Sequence, residues 1–309
     1  MRRSSAAQAT GGAGSVGGML RLVLPKGSLE QATLDLFADA DLNVRRMSRV
    51  DYRAAIDDPR VDDVRILRPQ EIPRYLSEGI FDLGISGRDW VTESGADVVS
   101  LTQLGYSKAT DQPVRIVVAV AADSPYQSAD DLPDGVRVST EYPNLTSRFF
   151  ADRGIEADVQ LSYGATEAKV PEIVDCVVEL TETGGALRAA GLRIIDTVLV
   201  SHTELLANPA AHADPHKRHA MGQIATLLTG VLEARARVLV KMNVPAAALT
   251  AVIDLLPSMK APTVNELYRG QGFAVETVVP KAVINTLIPE LSDAGATDIL
   301  ELPLAKIVH

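Results

Sequence analysis

The 309-residue chain is short of cysteine, of long apolar runs and of positive charge, and each shortage removes a class of protein. Its single cysteine, Cys176, excludes an intramolecular disulfide and points to a reducing, cytoplasmic compartment. No apolar run approaches the roughly 20 residues a membrane-spanning helix needs. Asp and Glu number 40 against 30 Lys and Arg, a formal net charge of −10. That balance argues against a nucleic-acid groove or an anionic membrane surface as the main partner. An anionic substrate must then be held by local features. No Walker A sequence occurs, so any ATP is bound without a P-loop.

What remains is a chain with 46% hydrophobic residues, enough for two or three domains with their own cores. Residues 1–18 are mostly Ala, Gly and Ser with two arginines. They read as a disordered extension, with Met19 as an alternative start and no apolar core of a secretory signal. Gly12 to Gly17 matches G-x-G-x-x-G, but no strand precedes it and no helix follows, so the match carries no dinucleotide site.

The stretch from Asp175 to Gly191 concentrates the chemistry. Cys176 to Leu180 reads as a buried strand, Thr181 to Gly185 as a small-residue turn, and Ala186 to Ala190 as a short helix ended by Gly191. A strand, a small-residue loop and a helix N-terminus bring backbone N–H groups to one point, which suits a phosphate. Glu182, Thr183, Gly184, Gly185, Ala186 and Leu187 are the candidate phosphate contacts, and Thr181 and Thr183 can add hydroxyl donors. Asp175 and Glu179, four apart on a strand, face one side and could take ribose hydroxyls. An ordinary strand-turn-helix corner with solvated acids is the alternative.

Upstream, strand, turn and helix repeat, which predicts a doubly wound parallel sheet. Leu20 to Leu24 is a strand, followed by Lys26-Gly27 and a helix from Leu29 to Ala40, with Ser28 and Gln31 at capping-box spacing. Strands at 64–67 and 81–86 end in Arg68 and in Arg88-Asp89. Lys26, Gly27, Arg68 and Asp89 thus share the carboxyl edge of the sheet, where open α/β folds bind ligands. Arg68 could clamp a phosphate. A second lobe starts near Arg115, and Tyr142 with Pro143 could line a base pocket. The strand 193–200 is expected to return to the first lobe. A long helix from Pro215 to Ala236 precedes a β-α-β-β-α-β order, a ferredoxin-like α+β module. His212, His216 and His219 have metal-like spacing in an Ala-rich stretch and are read as solvated, and Cys176 as a small buried core residue.

The blocks Leu24-Pro25-Lys26-Gly27, Arg68 to Pro73, Asp82 to Asp89, Ser162 to Pro171, Asp175 to Asp196 and Lys241 to Pro245 resemble, in order, those of long-form ATP phosphoribosyltransferase, the first enzyme of histidine biosynthesis. The resemblance runs from about Met19 to His309. The family usually has Thr or Ser where this chain has Ala186. The resemblance implies a two-lobed, periplasmic-binding-protein-like catalytic region with an ACT-like regulatory domain. Lobe I would comprise 19–112 with 193–208, lobe II 113–192, and the regulatory domain 209–309. It implies transfer of phosphoribosyl from phosphoribosyl pyrophosphate to N1 of the adenine of ATP, Mg2+ on the pyrophosphate, inhibition by histidine, and dimers or hexamers. Loop 182–187 would hold the 5′-phosphate, and Asp175 and Glu179 the ribose. Lys26, Arg68 and Asp89 would serve the ATP and pyrophosphate side. A two-lobed solute-binding protein, or an amino-acid sensor without catalysis, is the alternative.

Overall fold

The computed structural model describes residues 18–46, 48, 51–106, 113–257 and 261–309. The extension up to residue 17 lies outside the described residues. The described residues form three sheets. The first lobe begins with β1 (Leu20–Pro25), helix α1 (Glu30–Asp39), β2 (Val44–Arg45), β3 (Arg53–Ile56) and β4 (Val61–Leu67). Helix α2 (Ile72–Ser77), β5 (Leu83–Gly87), α3 (Arg88–Ser94) and β6 (Val99–Leu104) follow. β1 is central and pairs in parallel with β4 and β5. Its side chains alternate between two cores, as the period of a strand requires. Leu22 and Leu24 face the larger core with Phe37, whereas Val23 meets Ile72, Leu76 and Phe81 on the other side. Both faces are covered from Leu22 on, so Leu22-Val23-Leu24 reads as an apolar run, while Arg21 pairs with Asp82. A Cβ on Gly84 would stand 2.6 Å from Val23 Cγ1, so β5 packs against β1 only with glycine there.

The second lobe holds β7 (Val114–Ala121), β8 (Val136–Thr140), α4 (Pro143–Ala151), β9 (Ala157–Leu161), β10 (Cys176–Thr181), α5 (Gly185–Ala189) and β11 (Leu192–Ser201). The sheet order is β11-β7-β10-β8-β9. β8, β9 and β10 run parallel, while β7 is antiparallel to β10 and β11. The expectation that 193–200 returns to the first lobe is corrected here. β11 pairs with β7 along its length, and only β12 (Thr203–Ala207) crosses back, antiparallel between β5 and β6. The run is apolar enough for either sheet; the crossover falls at His202.

The expected start of the third domain also moves. Asn208 is not a linker. Its amide donates to Leu76 O at 2.7 Å and accepts from Ala211 N at 2.7 Å, capping α6 (Pro209–Ala213). The long helix α7 (Pro215–Arg235) then places Ala220, Met221, Ile224, Leu228 and Val231 in the core of the first lobe. Lys217 bonds the buried Asp82, which Arg21 also holds. What stands apart is β13 (Arg237–Val244), α8 (Leu249–Leu255), β14 (Thr263–Glu266), β15 (Phe273–Pro280), α9 (Ile284–Asp293) and β16 (Thr297–Pro303). The antiparallel order β14-β15-β13-β16 is that of a ferredoxin-like module with its own core. After β16 the tail turns back, and Ile307 N donates to Gly230 O on α7.

Candidate active site

The two lobes meet at α3 and α4. Glu93 accepts from the first N–H groups of α4, Asn144 N at 3.0 Å and Leu145 N at 2.8 Å, so an acid of one lobe caps a helix of the other. Trp90 stacks on Tyr142, with ring centroids 4.4 Å apart. The Tyr142 hydroxyl donates to Asp89 at 2.9 Å, and Ser201 at the crossover donates to the same carboxylate at 2.7 Å. A Cβ at Gly87 would fall 2.0 Å from Asp89 Oδ1, so only glycine lets that carboxylate fold back. Burial raises the Asp89 carboxyl above its usual value despite both hydroxyls, and burial together with Asp89 pushes the Tyr142 phenol up. Asp89 and Tyr142, expected as substrate contacts, spend their polar atoms on each other and on Ser201. Tyr142 is 2% exposed and has no open face for a base.

Around this junction the strands deliver their carboxyl ends. One cavity is bordered by Ser28 after β1, Pro69 after β4, Asp89, Glu182 of the loop after β10, and Ser201. An adjoining groove is lined by Arg68 and Trp90 from one lobe and Glu141, Ser162 and Tyr163 from the other. Arg68 is exposed at the end of β4, and its guanidinium has no partner among the described residues. Lys26 begins the turn after β1, with its ammonium 4.1 Å from the centre of the Tyr52 ring. Gly27 has φ +89° and donates to Glu30 at 3.3 Å. That bond replaces the expected Ser28–Gln31 capping box, since Gln31 turns to Asp35.

The small-residue turn has a defined shape. Thr181 is buried, and its hydroxyl accepts from Gly184 N at 2.8 Å. Gly184 sits at φ +73° and opens α5. The first-turn N–H groups of Ala186 and Leu187 have no acceptor within the helix. With five residues, α5 contributes little macrodipole, so these N–H groups rather than a dipole are the anion-binding resource. Thr183 and Ala186 are exposed, whereas the Leu187 side chain is buried in the core with Val117 and Val177. Leu187 therefore offers its backbone only.

The two carboxylates of the strand part company. Asp175 precedes β10, at the end away from the loop, and takes Arg137 N at 2.8 Å, Nε at 3.1 Å and Nη2 at 2.7 Å. The Arg137 hydrogen bonds hold its carboxyl below the usual range. Four residues of strand rise put it about 13 Å from Glu179. Facing the same side is not enough; the strand's direction decides which acid reaches the crevice. Glu179 lies at the loop end. The parallel register of β8 and β10 sets Glu141, just past β8, on the same edge. Burial pushes the Glu179 carboxyl up, Glu141 and Glu167 add to this, and hydrogen bonds from Thr166 and Leu180 N oppose it. Glu141, Ser162, Thr166 and Lys169 went unassigned in the sequence, although 162–171 stood out as a block. Their signal was hydroxyls and one lysine in a small-residue connection between parallel strands. Cys176 is fully buried, its thiol pushed up to about 12 by burial. No group of three or more His, Cys, Asp or Glu is placed to hold a metal ion by itself among the described residues.

A carboxylate beside a turn of backbone N–H donors, set between two α/β lobes, defines a crevice for an anionic ligand. Comparison narrows the class. A family model described as ATP phosphoribosyltransferase matches residues 68–230, and one described as HisG, C-terminal domain, matches 234–306. The ATP phosphoribosyltransferase of Desulforudis audaxviator is 48% identical over 289 residues, covering 94% of this chain and 99% of that one. That of Nitratidesulfovibrio vulgaris (strain DP4) is 49% identical over 290 residues, covering 94% and 98%. Among solved structures, the ATP phosphoribosyl transferase (HisG:HisZ) complex from Thermotoga maritima matches with a TM-score of 0.59 at 25% identity, over 70% of this chain and 99% of that one. The chain belongs to the ATP phosphoribosyltransferase family. The break between the two family matches falls at the end of α7, where the packing also divides.

Proposed function

We propose that the crevice between the lobes binds phosphoribosyl pyrophosphate and ATP and joins them at N1 of the adenine. The carrying observation is the loop 181–187 beside the half-buried Glu179 at the lobe junction, with Glu182 bordering the same cavity as Ser28, Pro69 and Asp89. The N–H groups of Ala186 and Leu187 and the Thr183 hydroxyl hold the 5′-phosphate. Glu179 lies against the ribose. As the anomeric carbon loses pyrophosphate it gains positive charge, and a carboxylate fixed beforehand in a site that excludes water stabilises that charge. No covalent nucleophile is needed; positioning two reactants supplies much of the rate. Arg68 and Lys26 take the pyrophosphate and the ATP phosphates, and Asp89 acts by fixing the lobes.

Mg2+ is held in such sites by one or two carboxylates plus substrate phosphates rather than by a protein cage, which suits Glu141 at the crevice edge with the pyrophosphate. It would supply neutralising charge to the leaving pyrophosphate. Asp175 has no part in this reading, because Arg137 occupies it. The module 237–303 would bind histidine as an inhibitor, and self-association as a dimer or hexamer follows the family. A cytoplasmic location fits a buried thiol with no disulfide partner.

Incubation with ATP, phosphoribosyl pyrophosphate and Mg2+ should give an adenine-N1 adduct and pyrophosphate in equal amounts. A protein that binds either compound but forms no adduct would be the non-catalytic binding protein or sensor instead.

A further inference from the structure

Each of the two junction helices leaves polar backbone groups that the other lobe satisfies. α4 opens without a side-chain cap from its own lobe. Its first residue, Pro143, has no N–H, and Thr146 N already donates to Tyr142 O at 2.9 Å. That leaves Asn144 N and Leu145 N, which donate to the two oxygens of the Glu93 carboxylate. On the facing side, α3 ends at Gly95, whose N–H turns back to Val91 O. The carbonyls of Thr92 and Glu93 then lack a partner within their own helix. Asn144 Nδ2 donates to Glu93 O at 3.2 Å, and Arg148 Nη2 donates to Thr92 O. The last turn of α3 and the first two turns of α4 thus complete each other.

These helices also border the crevice. One cavity runs from the chain crossings, at Tyr106, Val114 and His202, to Asp89 and Trp90 of α3. Glu93 itself lines the adjoining groove with Arg68 and Glu141. The crossings fix one margin of the crevice covalently, and the contacts of α3 with α4 fix the other. We propose that Glu93 is a positioning residue for phosphoribosyl transfer, holding the two lobes at the spacing the substrate needs before the substrate arrives. The proposal rests on the reading above, in which phosphoribosyl pyrophosphate reaches from loop 182–187 of one lobe to Arg68 of the other. If the lobes part, the Glu93 carboxylate and two backbone N–H groups lose one another together. A carboxylate shared by two N–H donors is among the stronger hydrogen-bonded pairs. Lobes that stand closed beforehand spare the substrate the cost of closing them. An open pair would instead weaken its apparent affinity by the reciprocal of the closed fraction. Both oxygens of Glu93 are spent on α4, so its effect belongs to binding and not to the reacting carbon.

The molecule carries its own reporter. Trp90 is the single tryptophan of the chain and stacks on Tyr142 of the other lobe, so its emission reads the junction directly. The test compares full-length wild type, E93Q, E93A and R148M by tryptophan emission, acrylamide quenching, calorimetric titration with phosphoribosyl pyrophosphate, and kcat. Without ligand, E93A should show red-shifted emission and stronger quenching. Saturating phosphoribosyl pyrophosphate should return both to the wild-type values. The Kd of E93A for phosphoribosyl pyrophosphate should rise roughly tenfold, the scale of a lost helix cap. Its kcat at saturation should stay within about threefold, because the bound ligand closes the lobes. E93Q keeps one acceptor oxygen and should fall between wild type and E93A. If E93A does not fold, R148M removes the bond to Thr92 O without touching Glu93 and should move emission and Kd the same way by a smaller factor. Wild-type emission and Kd in a folded E93A would overturn the proposal. So would a fall in kcat with Kd intact, which would place Glu93 in the chemistry. A wild type that does not bind phosphoribosyl pyrophosphate would instead overturn the substrate reading, and the emission of ligand-free E93A would still decide whether Glu93 holds the lobes.

Discussion

A chain ended after Asn208 should fail to fold, whereas one ended after Ala236 should give a folded two-lobed protein. The first cut removes α7 and with it Met221, Ile224, Leu228 and Val231, each at most 1% exposed in the core of lobe I. At about 1.5–3 kcal/mol for each buried side chain, the loss is about 6–12 kcal/mol. The whole stability of a domain is about 5–15 kcal/mol. Asp82 also loses Lys217, though Arg21 still holds it. The second cut removes a module with a separate core and the tail contacts to lobe I, Ile307 N with Gly230 O and the surface ion pair of Lys306 with Asp41. Thermal melts and solubility of the two truncations decide the matter. Initial rates against histidine should show inhibition of the full chain and none of the chain ended after Ala236. A folded product from the shorter chain would overturn the packing argument, and histidine inhibition surviving the longer one would move the effector site out of the module.

Gly184→Val should abolish productive binding of phosphoribosyl pyrophosphate while leaving the fold in place. Gly184 has φ +73°, and a branched residue held there stores about 1–3 kcal/mol of strain. Its Cβ would also stand 2.9 Å from Arg188 Nη1 and 3.2 Å from Ile194 Cδ1, so the turn must shift. Displacing two charge-assisted hydrogen bonds to the phosphate, at about 1.5–3 kcal/mol each, weakens binding by roughly a hundredfold or more. The turn is held at its base by Thr181 and by Leu187 in the core, which is why the lobe survives. Calorimetric titration with phosphoribosyl pyrophosphate, beside a thermal melt, separates the outcomes. Wild-type affinity in a folded variant would take the loop out of the site.

The loop, both lobes and the module were legible because their signals are local: an apolar run, a small-residue turn, a helix stop. The positive φ of Gly184 and the β-α-β-β-α-β order belong to that kind. Long-range packing was not legible. Asp175 and Glu179 look equivalent in sequence, and only pairing with β8 shows that Arg137 claims the first. Asp89 and Tyr142, at strand ends in two different lobes, read as separate ligand contacts, since nothing local shows that they face each other across the junction. α7 follows an Asn-Pro that resembles a linker, but Asn208 is a buried cap, and the helix completes a core begun 200 residues earlier.

The most direct test of the account is kcat as a function of pH for wild type and Glu179→Gln with saturating ATP and phosphoribosyl pyrophosphate. Glu179 acts as an anion, and burial with Glu141 and Glu167 holds its carboxyl above the usual range. Wild-type turnover should therefore fall as pH drops through that raised value, starting at higher pH than an ordinary glutamate would cause. E179Q should lose kcat by roughly a hundredfold at neutral pH, the scale of one lost electrostatic contact to the transition state, with KM nearly unchanged. It should also lack the acid limb. Wild-type kcat in E179Q, with the same acid limb, would contradict the account.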